Sequence, residues 1–220
     1  ATFTAPTVTT STVCTITASA SKAGYTKGSG QTQVTVQPLP LAVSVTASPT
    51  TIYSGGTSTI KVSVTSLGTA VAGTTVSLTS DKGGTFSAVT DHANGTYTAT
   101  FTAPDITTQT TCTITASVSK SGYTSGSGQT QVVVQPLVLN IYVKDADGKP
   151  IAVATVVSTS QPSGQATLSG TTDANGLAVF AGILKGSYTI KASKSGYEDK
   201  TWTVTVTAGK VTTETTTMTK

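Results

Sequence analysis

The sequence repeats itself with a fixed offset, and this feature constrains the fold more than any other. Residues 1–41 match residues 99–139 at 32 of 41 positions without a gap, so the offset is 99 − 1 = 98 residues. A fixed period of this kind indicates a repeated structural unit, and its length is that of one small β domain. We therefore predict a complete unit at 41–137 and interpret residues 1–40 as the C-terminal part of a preceding unit.

The complete unit has the apolar alternation of short β-strands. Because successive side chains of a strand point to opposite faces, an apolar residue at every second position predicts a strand that is buried on one side. Turn-forming sequences, "SGG", "DKGG", "HANG" and "GSG", bound the segments, and this spacing is typical of an antiparallel β-sandwich. The predicted strands are "LAVSVTA" at 41–47, "STIKVSV" at 58–64, "TTVSLTS" at 74–80, "GTYTATFTA" at 95–103, "TCTITASV" at 111–118 and "TQVVVQ" at 130–135.

Composition supports an all-β fold and argues against two kinds of partner. Threonine makes up 51 of the 220 residues, and β-branched side chains favour strands, so long helices are not expected. The 13 lysines are scattered and no arginine is present. Since phosphate recognition usually relies on the bidentate arginine fork, we expect no nucleic-acid partner. No stretch approaches the roughly 18 consecutive apolar residues of a membrane span, so we expect no direct membrane insertion in this segment.

The order of motifs in the complete unit resembles a known family. "VAGTTVSLTSDKGGTF", then "NGTYTATFTAP", then "TITASVSKSGY" is similar to the bacterial immunoglobulin-like domains of the invasin and intimin type. The resemblance implies an immunoglobulin-like sandwich on an exported surface protein. Residues 1–40 would then be the closing strands of a further such sandwich.

The pattern changes at about residue 138. "LNIYVKDADGKPIAVATVVST", "GTTDANGLAVF" and "GILKGSYTIKASKSGYEDKTWTVTVTAG" resemble the carboxypeptidase regulatory-like, transthyretin-like β-sandwich, which implies a second sandwich at 138–220. In this segment we expect "DADGKP" to link the first two strands and "DANG" to turn the next hairpin, because Asp-Gly and Asn-Gly tolerate positive φ.

Residues 1–40 lack the strands that would cover them in a complete unit. An unpaired strand edge is a template for pairing with another chain. We therefore expect these residues either to belong to a larger parent protein or to complete their sheet by pairing with a neighbouring molecule. The sequence leaves open whether they are a truncation or an assembly device.

The inventory of reactive side chains points away from catalysis. His92 in "TDHANG" is the single histidine and neither cysteine lies near it in sequence, so no nucleophile–base pair is evident. Asp145, Asp147 and Asp173 fit turns better than a calcium loop, which needs further oxygen ligands and a terminal glutamate. We predict no catalytic residue, no metal site and no cofactor. Asn94 in "NGT" is a glycosylation candidate and also an ordinary turn residue.

Cys14 and Cys112 occupy equivalent positions in the repeat, each within "CTITAS". With one cysteine per unit, no disulfide can close inside a domain. We interpret both as small buried apolar residues, and the alternative is an intermolecular thiol link to another chain.

A short motif recurs three times: "SKAGY" at 21–25 and "SKSGY" at 119–123 and 193–197. It follows a strand in each copy and occurs in both domain types, which favours a shared folding role over a shared ligand. We expect the tyrosine to cap the end of the sandwich, with its ring on the core.

These features predict a non-enzymatic structural or adhesive protein of the extracellular cell surface. Tandem sandwiches joined by short proline-containing linkers would form a stalk or a filament component that associates with itself or with neighbouring surface proteins. The alternative is that both sandwiches are accessory modules of a secreted enzyme. A carbohydrate-binding role has little support, because aromatic residues make up only 5% of the chain.

Overall fold

The computed structural model describes residues 1–220, and its regular structure consists of strands without a helix. The all-β expectation is confirmed. The chain contains no helix long and apolar enough to cross a membrane. The first three strands precede the complete domain: β1 (Thr12–Ala20), β2 (Gly28–Val36) and the short β3 (Leu39–Pro40). Strands β1 and β2 form a two-stranded antiparallel sheet of their own, which we call the N-terminal hairpin.

The complete domain is a two-layer sandwich. Its strands are β4 (Ala42–Ser48), β5 (Thr51–Tyr53), β6 (Thr57–Ser66), β7 (Thr69–Ala70), β8 (Thr75–Ser80), β9 (Thr85–Phe86), β10 (Thr90–Asp91), β11 (Thr96–Thr102), β12 (Thr110–Ser119), β13 (Tyr123–Thr124) and β14 (Gly126–Gln135). One sheet has the order β10-β11-β6-β4, with β7 on β6 and β9 on β11, and the other has the order β5-β14-β12-β8. All six strands predicted from the alternation are present, with bounds shifted by up to four residues.

The alternation explains how the core of this sandwich forms. Along β6, Ile60, Val62 and Val64 are buried while the residues between them face outward. The opposite layer contributes buried residues from β12 and β14, including Cys112 and Ile114. The two apolar faces therefore close on each other, as a sandwich requires. Within these two sheets the pairing is antiparallel except at the edge, where β5 runs parallel to β14, and the short β13 pairs in parallel with β3.

A second sandwich follows directly. Its strands are β15 (Leu137–Lys144), β16 (Thr155–Ser160), β17 (Ser169–Thr171), β18 (Leu177–Ile183), β19 (Gly186–Ser193), β20 (Lys200–Val206) and β21 (Thr212–Thr217). They form a three-stranded sheet, β18-β15-β21, and a four-stranded sheet, β17-β16-β19-β20. Seventeen buried residues form its core, which begins at Leu137.

One turn prediction for this sandwich is wrong. "DANG" at 173–176 does not turn a hairpin, because β17 before it pairs with β16 while β18 after it pairs with β15 in the other sheet. Asp173 still folds the chain back tightly, accepting hydrogen bonds from the N–H groups of Asn175 and Leu177 at 2.8 and 2.9 Å. The tight turn is present as predicted, but the strands on either side of it belong to different layers.

The two sandwiches contact each other closely where they join. Only Pro136 separates β14 from β15. The N–H of Gly209 donates to the carbonyl of Ser54 at 2.8 Å, and Lys185 lies 3.0 Å from Asp105 across the junction. Tyr53 of the first sandwich packs against the core of the second. Backbone, charged and apolar contacts together restrain the angle between the two domains.

Candidate assembly surface

The N-terminal hairpin reproduces the central pair of the complete domain. Strands β1 and β2 pair over nine positions, from Thr12 opposite Val36 to Ala20 opposite Gly28. Strands β12 and β14 pair over nine equivalent positions in the same register, each shifted by 98 residues. The near-identity in sequence therefore extends to an identical pattern of strand pairing.

The two hairpins differ in what covers them. In the complete domain Cys112, Ile114 and Ala116 of β12 have no exposed surface, and neither does Val132 of β14. The equivalent face of the N-terminal hairpin is open except at its end, where Val36 is buried: Cys14 and Ile16 are half-buried, Ala18 is exposed, and Val34 is 37% exposed. Exposure of the same apolar pattern costs free energy that burial would recover.

The exposed apolar surface of the chain is concentrated here. Five of the eight large apolar side chains that are exposed lie within residues 1–40: Phe3, Val13, Tyr25, Val34 and Leu39. Phe3 is 43% exposed, while its repeat equivalent Phe101 is fully buried. Most of the exposed large apolar side chains therefore lie in residues 1–40 and not in the two sandwiches.

Both edges of the N-terminal hairpin lack a neighbouring strand. In the complete domain β8 pairs with the outer edge of β12, and β5 pairs with the outer edge of β14. Strands β1 and β2 pair only with each other. An isolated two-stranded hairpin is marginally stable in water. The hairpin thus has unpaired backbone groups along both edges, together with an uncovered apolar face.

The two cysteines have different surroundings although they are equivalent in the repeat. Both are free thiols; Cys112 is buried in the core and Cys14 is half-buried on the open face. Burial raises the pKa of the Cys112 thiol, which keeps it protonated and unreactive. An intermolecular link at Cys112 would require the domain to open, whereas a link at Cys14 would not. The intermolecular thiol remains a prediction.

The recurring "SK-S/A-GY" segment forms the same turn in all three copies. The tyrosine N–H donates to the lysine carbonyl at 3.0 to 3.1 Å, and the glycine between them has a φ of 80° to 84°. Tyr123 and Tyr197 pack against their cores, as expected, whereas Tyr25 is 71% exposed because the hairpin has no core. Lys120 also donates to the carbonyl of Ala72 at 2.5 Å, which ties the turn to a neighbouring loop.

The other sequence candidates lie in exposed turns. His92 is exposed, and its Nε2 lies 2.9 Å from the Thr98 hydroxyl. The Asp145 carboxylate accepts hydrogen bonds from two backbone N–H groups of its own loop. No group of three or more potential metal ligands occurs among His, Cys, Asp and Glu side chains. Asn94 is exposed at a turn and its Oδ1 accepts from the hydroxyl of Thr96 at 2.6 Å. Its glycosylation remains a prediction.

Sequence reasoning missed the feature that most defines this surface. Gly28 and Gly30 lie in β2, where nothing approaches within 4 Å of the position that a side chain would take. A glycine inside a strand weakens it and often marks the close approach of another backbone. The prediction of "GSG" as a turn is wrong, because both copies of this sequence, at 28–30 and 126–128, lie inside strands, in β2 and β14.

Comparison with known proteins gives two family matches. Residues 40–136 match the family model of invasin, domain 3, and residues 138–219 match that of the carboxypeptidase regulatory-like domain. No curated protein is significantly similar to the chain.

Several solved structures are similar to this chain at low sequence identity. The Bacillus anthracis TIE protein is 13% identical with a TM-score of 0.43, over 81% of this chain and 40% of that one. The Yersinia pseudotuberculosis adhesin InvE is 24% identical with a TM-score of 0.36, over 76% and 60%. Invasin, a bacterial integrin-binding protein, is 19% identical with a TM-score of 0.38, over 90% and 46%.

In each of these comparisons the match spans less than two thirds of the other protein. The two family matches, by contrast, fall in the order and at the places where the sequence resemblances were found. Residues 40–136 are thus similar to invasin domain 3, and residues 138–219 are similar to the carboxypeptidase regulatory-like domain.

Proposed function

We propose that this chain is a non-enzymatic structural or adhesive component of the extracellular cell surface, in which tandem β-sandwiches form a stalk or part of a filament. The match to invasin domain 3 supports a surface role. The restrained junction between the sandwiches supports a role as a spacer, because a stiff junction fixes the orientation of one domain relative to the next. The function of the chain then depends on the length of the stalk and on how it assembles.

The observation that carries this proposal is the uncovered N-terminal hairpin. A surface that is buried in one copy of the repeat and open in the other is suited to receive strands from a neighbouring molecule, which is β-strand addition. The two free edges offer unpaired backbone groups, and the open face offers apolar area. We propose that residues 1–40 assemble the protein by strand complementation.

Assembly of this kind predicts a visible result. Native surface material that contains the protein should show ordered fibres by electron microscopy, with a subunit spacing set by the length of the tandem sandwiches. Deletion of residues 1–36 should exclude the protein from these fibres. Native material that contains the protein but lacks fibres, or fibres that retain the protein after this deletion, would contradict the proposal.

A further inference from the structure

Two glycines of the N-terminal hairpin indicate where a partner strand would lie. The repeat equivalents of Gly28 and Gly30 are Gly126 and Gly128 in β14. At Gly126 a Cβ would collide with the carbonyl oxygen of Leu41. At Gly128 a Cβ would lie 2.6 Å from the carbonyl oxygen of Val43. In the complete domain the glycines thus make room for the backbone at the start of β4.

The same room is empty at the hairpin. No atom lies within 4 Å of a Cβ built at Gly28 or Gly30, and neither glycine has a positive φ. An alanine would therefore fit both positions without strain, so the hairpin itself does not require glycine there. The physical requirement appears only when a second backbone crosses the strand, as β4 crosses β14.

We infer that Gly28 and Gly30 form a slot for the backbone of an incoming strand, and that the partner is the N-terminal half of another unit of this repeat, a segment patterned like residues 41–98. This inference rests on the proposed role of the hairpin in assembly and names the partner of that same site. In the complete domain, the layer that such a segment supplies to the hairpin presents five buried apolar side chains: Val45, Ile60, Val62, Val64 and Tyr97.

The chain's own residues 41–98 cannot fill this role. In a complete unit the residue equivalent to Val36 is Val134, which lies eight residues along β14 from Gly126, or about 26 Å at about 3.3 Å per residue. Leu41 lies beside the Gly126 end of that strand, where its N–H donates to the carbonyl of Thr124 at 3.1 Å. To cover the hairpin in the same way, Leu41 would have to lie beside Gly28, about 26 Å from Val36. The five residues from Val36 to Leu41 span at most about 18 Å, so the chain cannot reach. The partner segment must therefore come from outside this unit.

An unaltered second copy offers no free N-terminal half either. Its residues 41–98 are covered by its own β12 and β14, so an exchange of hairpins would uncover as much apolar surface as it covers. The partner is thus a segment of this pattern that lacks a hairpin of its own.

The fit can be tested by joining such a segment to the chain. Fusion of a copy of residues 41–98 to the N-terminal Ala1 recreates the Thr98–Ala99 junction of the repeat. Cys14 alkylation under native conditions then reports coverage of the face. We expect its rate to fall by about 100-fold or more relative to the unextended chain, because reaction would require local opening.

The slot itself is tested by the double variant Gly28→Ala/Gly30→Ala. In the extended chain it should restore Cys14 alkylation to within about tenfold of the uncovered rate, since a blocked slot lets the covered state open more often. In the unextended chain it should leave alkylation unchanged. Ser29→Ala, between the glycines, is the matched control and should leave Cys14 protected in the extended chain.

The outcomes separate the inference from the proposed function. Undiminished Cys14 alkylation in the extended chain would show that the partner is wrong. Protection that survives Gly28→Ala/Gly30→Ala would show that the slot is wrong, although assembly through the hairpin could stand. Protection of Cys14 that grows with concentration in the unextended chain would identify a second copy as the occupant and overturn the inference. Absence of fibres in native material bears on the proposed function alone.

Discussion

Truncation of the equivalent isoleucine in each copy of the repeat should have very different effects on stability. The strand that carries it is covered in the complete domain and open in the N-terminal hairpin. Ile114 is fully buried in the complete domain and Ile16 is its half-buried equivalent. Ile114→Ala removes core volume and should lower the free energy of unfolding of the complete domain by about 3 kcal/mol. Ile16→Ala should change it by less than about 0.5 kcal/mol, since the hairpin lies outside that core.

The magnitude translates into a measurable shift in urea. With an m-value of about 1.5 kcal/mol/M for a domain of this size, a loss of about 3 kcal/mol moves the unfolding midpoint down by about 2 M. Labelling of Cys112 reports the complete domain, because that thiol is buried until the domain opens. Fluorescence of Trp202, which packs against the core of the second sandwich, is the internal control and should shift in neither variant.

Two results would refute this reasoning. A downward shift of the Cys112 midpoint by Ile16→Ala comparable to that of Ile114→Ala would mean that the hairpin face is covered in the isolated chain. A negligible effect of Ile114→Ala would mean that the two layers do not pack as described.

Three further predictions concern a buried tyrosine, the recurring turn and the domain junction. Burial raises the pKa of Tyr188, so the contribution of Tyr188 to stability is complete below the ordinary pKa of 10.0 and is lost as pH rises through the folded pKa. Tyr188→Phe should therefore flatten the fall in stability at alkaline pH, as measured by urea unfolding between about pH 9 and 11. Tyr123→Ala should cost the complete domain about 2–4 kcal/mol, whereas Tyr25→Ala should cost it less than about 0.5 kcal/mol, and equal losses in Cys112-detected unfolding would contradict the account. Gly182→Ala places a Cβ 2.6 Å from the Thr107 carbonyl at a φ of 72°, so small-angle scattering should show an altered angle between the sandwiches, and an unchanged profile would argue against a tight joint.

Much of the fold could be predicted from local patterns. The 98-residue repeat predicts that two hairpins share one register, and the alternation locates the strands because a half-buried strand must place apolar residues at every second position. The lysine-glycine-tyrosine turns follow from glycine's tolerance of positive φ. These are short-range properties that a sequence displays directly.

The remainder depends on contacts between distant residues. Nothing local indicates that β5 runs parallel to β14 or that β21 runs parallel to β15. The "DANG" error has the same origin, because a tight turn can join strands of one sheet or of two. The contact between Ser54 and Gly209 joins residues of different domains, so no local pattern could predict it.

Only part of the candidate surface could be predicted from the sequence. The repeat identifies residues 1–40 as strands without a cover, but the slot at Gly28 and Gly30 requires the geometry of Gly126 and Gly128 for comparison. A glycine that is free in one copy and sterically required in the other is informative only once both copies are seen in three dimensions.

Amide hydrogen exchange tests the central claim most directly, because it measures both copies of the repeat in one sample. In the dilute monomeric chain, amides of residues 12–36 should exchange at least about 100-fold faster than those of residues 110–134, and in native assemblies the two sets should be equally protected. Equal protection of both hairpins in the dilute monomer would contradict the claim that residues 1–40 present an uncovered surface for assembly.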